Sequence, residues 1–184
     1  MRILMLGNSL TSANDLPGLV GQACGCEVVA HTRGGAHLAE QRNPKTRLGA
    51  RTCAALDAGG WSHVVLQETS TGPIRSRAAY LTSVTRLAEA ARACGAEPVL
   101  YATWPLAEGS RRLAALGLAR AEMADALADA FREAALRAQA PVAEVGEAFM
   151  RHPHPEVLYA RDGVHPSREG SLLAASVLAE ALRG

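Results

Sequence analysis

Two short segments near opposite ends of the chain carry the residue types of an acyl-transfer site: Gly7-Asn8-Ser9-Leu10-Thr11 and Asp162-Gly163-Val164-His165-Pro166-Ser167. An Asp three residues before a His in a tight loop can fold back so that its carboxylate meets the imidazole Nδ1–H. That contact fixes the tautomer and leaves Nε2 free as a base. A serine hydroxyl brought to that Nε2 becomes a nucleophile. The expectation is a relay of Ser9, His165 and Asp162. Each half also has a blander reading, since a serine after a strand is more often a helix cap and an Asp-x-x-His loop can be a solvated turn. What favours the relay is joint placement, one segment after the first strand and the other after the last.

A sheet is needed to bring these segments together. Residues 3–6 form an apolar run that stops at Gly7, and open α/β folds bind ligands at the carboxyl edge of such strands. Further runs at 27–31, 63–66, 98–102 and 141–145 read as strands. Between them helices are expected at about 15–25, with Asp15 as cap and Pro17 in the first turn, at 46–58, and at 77–94. The last of these places Tyr80, Leu81, Val84, Leu87 and Ala91 on one face. The Ala-rich stretch to Gln139 is one long helix or two joined near Gly117, and a final helix over 168–182 is capped by Ser167. Residues 36–45 and 106–112 look irregular. Strands alternating with helices imply a parallel sheet covered on both faces, an α/β fold of three-layer α/β/α sandwich type. No repeat or linker divides the chain, so one domain is expected over 1–184.

Composition excludes several classes. With 19 Lys and Arg against 18 Asp and Glu among 184 residues, no basic excess points to nucleic acid. No segment approaches the roughly 18 apolar residues of a membrane span, and the N-terminal run is too short for a signal-peptide core, so a cytoplasmic location is expected. Cys24, Cys26, Cys53 and Cys94 lack CxxC spacing and read as reduced structural thiols.

Taken together, GNSLT at 7–11, the glycine pair Gly34-Gly35 and DGVHPS at 162–167 resemble blocks I, II and V of the SGNH hydrolases, also called GDSL-type esterases. The blocks occur in family order along the whole chain. The resemblance implies a flavodoxin-like sheet of five parallel strands ordered 2-1-3-4-5, with Ser9 as nucleophile, His165 as base and Asp162 as its partner. It also implies an oxyanion hole that includes the backbone N–H groups of Ser9 and of Gly35, the block II glycine. The sequence departs from the family after the third strand, where Gln67-Glu68 replaces the usual Gly-x-Asn-Asp, as in some branches of the superfamily. Gln67 can donate from its amide, whereas an ionised Glu68 only accepts and would repel an oxyanion. Gln67 is therefore expected to be the third donor, ahead of Thr69, Ser70 or a purely backbone hole.

Asn8, Glu68 and Trp104 are further candidate pocket residues, although Trp104 could equally cover the sheet edge. His152-Pro153-His154-Pro155 reads as an exposed loop rather than a metal cluster, because prolines keep its histidines off a helix and no zinc-like spacing supports them. His31, His37 and His63 read as strand-end or surface residues. GxSxG, GxGxxG and GxxxxGK[ST] are absent. The expected function is cleavage of an acyl ester, acetyl among the candidates, of a small polar or carbohydrate-like alcohol. No cofactor or metal is expected, and the expected partner is a small-molecule ester rather than nucleic acid or a membrane. The competing readings are an acyltransferase with the same triad and a non-catalytic flavodoxin-like binding module.

Overall fold

Strand β1 (Arg2–Gly7) lies inside the sheet, and Ile3, Leu4, Met5 and Leu6 are fully buried in this computed structural model, which describes residues 1–184. An uninterrupted apolar run is what a parallel strand covered on both faces requires. Beside it lie β2 (Glu27–Thr32) and β3 (His63–Leu66), with Leu4 opposite Val29 on one side and Val64 on the other. Then come β4 (Glu97–Tyr101) and β5 (Val142–Ala143), giving the order β2-β1-β3-β4-β5 with every pairing parallel. The order expected from the family resemblance is the one found.

The helices in chain order are α1 (Ser9–Ser12), α2 (Leu16–Cys24), α3 (Leu38–Gln41), α4 (Arg47–Ala58), α5 (Gly72–Arg75), α6 (Arg77–Ala93), α7 (Arg111–Leu116), α8 (Arg120–Ala138), α9 (Val145–Arg151) and α10 (Arg168–Ala181). Helix α2 packs on α10, and α6 packs on α8, making the two outer layers. The α6–α8 contact includes Tyr80 edge-on to Phe131, with ring centroids 5.8 Å apart. Burying one such side chain as large as Leu87, which is fully covered, contributes roughly 1.5–3 kcal/mol. Asp15, Thr46 and Ser167 cap α2, α4 and α10 by accepting from the N–H of Gly18, Gly49 and Gly170. No helix is long and apolar enough to cross a membrane.

Several local expectations need correction. The fifth strand is only Val142–Ala143, and Val145 is instead the first residue of α9. The ladder ends where Ala102 N–H donates to the Ala143 carbonyl, after which the Gly146 N–H turns back to the Ala102 carbonyl at 3.0 Å. Val145 is apolar because it faces the core from a helix, which so short a run cannot distinguish from a strand. Of the two forms expected for the Ala-rich stretch, the pair of helices joined near Gly117 is the one found, with Gly117 closing α7 in the left-handed conformation. Within 36–45, expected to be irregular, lies the single turn α3.

The sheet reverses its winding direction between β1 and β3. At their carboxyl ends the chain emerges at Asn8-Ser9 and at Gln67-Glu68, the crevice position at which such sheets take ligands.

Candidate active site

Ser9 is the first residue of α1, directly beyond the end of β1. Asn8 caps that helix, its Oδ1 accepting from Leu10 N–H, and this leaves the Ser9 N–H as one of the end donors that a helix cannot satisfy internally. Gly7 is required by close approach, since a Cβ there would lie 2.4 Å from Thr11 Oγ1 and 2.5 Å from Gln67 Oε1. The half-buried Ser9 hydroxyl is 2.8 Å from His165 Nε2. His165 Nδ1 is 2.5 Å from Asp162 Oδ2, and Asp162 Oδ1 accepts from the N–H groups of Val164 and His165 at 3.0 Å each. The structure thus brings Ser9, His165 and Asp162 into one hydrogen-bonded line.

Partial burial pushes the Asp162 carboxyl up, but hydrogen bonds from the His165 ring and from the Val164 and His165 backbone outweigh it. Together with the imidazole charge they hold the group down at about 2. The carboxylate is therefore ionised at neutral pH and acts on Nδ1 as an acceptor only.

Two side chains hold this line in place: Asn14, which the sequence did not flag, and Trp104, which it offered as a pocket or sheet-edge residue. Asn14, in the left-handed conformation at φ 52°, donates from Nδ2 to the carbonyls of Pro166 and Ser167 and to Ser171 Oγ, at 3.0, 2.9 and 2.8 Å. It ties the loop after Ser9 to the loop after His165. The Val164 carbonyl, next to His165, accepts from Trp104 Nε1 at 3.0 Å, and Trp104 is itself stacked on Phe149 with centroids 4.2 Å apart. Trp104 is 1% exposed, so it underpins the histidine loop and does not line the cleft.

Gly35 sits at φ 68°, a left-handed conformation that favours glycine, and its N–H has no backbone acceptor. It lines the same cavity of about 490 Å³ as Asn8, Ser9 and His165. Asn8 reaches across to this loop, donating from Nδ2 to the Ala36 carbonyl at 3.0 Å.

The structure does not bring Gln67 to the cleft. Its side chain is fully buried: Oε1 accepts from Asn8 N–H at 2.9 Å and from Thr11 Oγ1 at 2.8 Å, while Nε2 donates to the Glu68 carbonyl. Glu68, 3% exposed, points the other way, accepting from Leu38 N–H at 3.0 Å and Thr69 N–H at 2.7 Å and pairing with His37 Nδ1 at 2.9 Å. The alternation of side chains along an extended chain explains the split. Gln67 braces the Ser9 loop and Glu68 the Gly35 loop, so this pair ties both loops to the end of β3.

The other histidines lie apart from this line. His154 N–H donates to His152 Nδ1 at 3.1 Å within an exposed segment. His31 is at the end of β2 but buried, with Nδ1 3.1 Å from Thr52 Oγ1. No group of three His, Cys, Asp or Glu side chains is gathered so as to hold a metal ion.

No family model matches the chain, and no curated protein does. Solved structures do. A protein from Slackia heliotrinireducens assigned as an SGNH hydrolase is 51% identical over 98% of this chain and 98% of that one, with a TM-score of 0.95. A DUF4886 family protein from Bacteroides uniformis is 20% identical, covering 99% of this chain and 82% of that one at a TM-score of 0.76. A lipase/acylhydrolase from Enterococcus faecalis is 18% identical, covering 100% and 96% at a TM-score of 0.70. The last two share the fold, and the first, at half identity over nearly the full length of both chains, shows that this chain belongs to the SGNH hydrolase family.

Proposed function

We propose that the protein is a serine esterase that cleaves an acyl ester of a small polar or carbohydrate-like alcohol through Ser9, His165 and Asp162. The observation that carries this reading is the line of contacts from Asp162 Oδ2 to His165 Nδ1 at 2.5 Å and from His165 Nε2 to Ser9 Oγ at 2.8 Å. Asp162 holds the Nδ1–H tautomer, so Nε2 takes the Ser9 proton as Oγ attacks the ester carbonyl. The tetrahedral oxyanion is then held by the N–H groups of Ser9 and Gly35. Collapse expels the alcohol, which receives the proton from His165. Water, deprotonated by the same nitrogen, attacks the acyl-Ser9 ester and frees the acid. With Gln67 and Asn8 engaged beneath the loops, the oxyanion hole in this reading consists of backbone donors.

Labelling with a fluorophosphonate, read by intact mass, tests the proposal. One adduct is expected on the wild type and none on Ser9→Ala. Labelling that survives the substitution contradicts it, and so does a wild type that resists the reagent.

A further inference from the structure

The cleft beside Ser9 is electrostatically one-sided. Its lining includes Arg75, the last residue of α5, and Arg112, in the first turn of α7, and it contains no Asp or Glu. Neither Arg75 nor Arg112 pairs with a carboxylate of the protein. Both are exposed. Thr69, Ser70 and Thr71 line the same cleft, and its apolar lining includes Leu10, Leu106 and Val164.

We propose that this cleft selects esters whose non-reacting part carries one compact anion, a carboxylate or a phosphate, received by Arg75 and Arg112 while a short acyl group meets the apolar wall. The proposal rests on the serine-esterase reading above. Guanidinium groups without a protein partner in a recess free of carboxylates attract an anion from solution and grip it in bidentate fashion. A single anion fits better than an extended polyanion, because the adjoining cavity, which Arg112 also lines, carries Glu108, Glu156 and Asp162 as well as Arg111, Arg120 and Arg161.

The test compares kcat/KM for neutral phenyl acetate with that for 4-acetoxybenzoate and for 4-acetoxyphenyl phosphate, in the wild type, Arg75→Gln, Arg112→Gln and the double variant. Intrinsic leaving-group reactivity cancels when the anionic-to-neutral ratio of each variant is divided by that of the wild type. The ratio is expected to fall about tenfold per arginine, the size of one charge-assisted hydrogen bond. It should also fall in the wild type as salt rises towards about 1 M, where the screening length is about 3 Å. A fall confined to one arm assigns the carboxylate or the phosphate as the group read. A ratio unchanged in the double variant overturns the proposal. Fluorophosphonate labelling of the same preparations separates the two readings: if Ser9 labels and the ratio is unchanged, only the anion preference fails. If nothing labels and no ester turns over, the esterase reading fails and takes the preference with it.

Discussion

Replacing Gln67 by Ala separates a brace from an oxyanion donor, because the two roles put the damage in different observables. In the structure Gln67 is fully buried and satisfies three groups: Asn8 N–H, the Thr11 hydroxyl and the Glu68 carbonyl. Truncation strands the buried Asn8 N–H, at about 1–3 kcal/mol, and opens a cavity whose cost adds to this. Partial collapse of the loop recovers some of the loss. A total near 3–5 kcal/mol is expected, within the range for large-to-small changes at buried sites. For a chain of this length that lowers Tm by roughly 6–20 °C. The folded fraction should keep kcat within about tenfold of the wild type, since the proposed oxyanion donors are untouched. Thermal melts by circular dichroism, with kcat measured well below the variant's midpoint and normalised to phosphonate-titrated sites, give both numbers. An unchanged Tm with kcat lowered by about 10²–10³, the effect of losing an oxyanion donor, would refute the brace and restore Gln67 to the oxyanion hole.

Other expectations follow from the same geometry. Asp162→Asn should lower kcat by about 10⁴, because the new amide favours the wrong imidazole tautomer; steady-state assays that find the variant nearly as active contradict the relay. Asn14→Ala removes three hydrogen bonds that tie the His165 loop to the Ser9 loop, so kcat should fall about tenfold or more while KM changes little. Equal kcat would mean that the loop is fixed without Asn14. His31 is held down to about 4, by burial first and by the nearby Arg51 charge second. The unfolded chain therefore takes up that proton first, and stability present above pH 6.5 is lost as pH falls towards 4. Melts at pH 7 and about pH 4.5 should show a smaller Tm loss in His31→Gln than in the wild type, and parallel losses would remove His31 from the account.

The sequence made the sheet and the line of Ser9, His165 and Asp162 legible because both depend on local patterns. Buried parallel strands are apolar runs with sharp ends, and the loops that follow the first and last of them hold Ser9, Asp162 and His165. Trp104 and Gln67 were harder to read. Both types belong in pockets as readily as beneath them, and only the partners, the Val164 carbonyl for one and Asn8 N–H for the other, show that they support loops from below. Alternation along an extended chain makes Gln67 and Glu68 diverge but does not dictate that both face protein. Asn14 left a trace in the sequence: an Asn-Asp pair before a helix tolerates the left-handed conformation. Its bonds to Pro166, Ser167 and Ser171 join residues more than 150 positions apart, which no local pattern encodes. Arg75 and Arg112 are ordinary exposed helix residues by pattern, and only the fold places them beside Ser9.

Trapping the covalent intermediate tests the central claim most directly. The enzyme is mixed with excess 4-nitrophenyl acetate, quenched in acid within milliseconds, digested and mapped by mass spectrometry. The account predicts an acetyl group on Ser9, formed together with a burst of nitrophenolate wherever deacylation is the slower step, and absent from Ser9→Ala. Turnover of the ester by wild type and Ser9→Ala alike, with the acyl group on another side chain or on none, would contradict it.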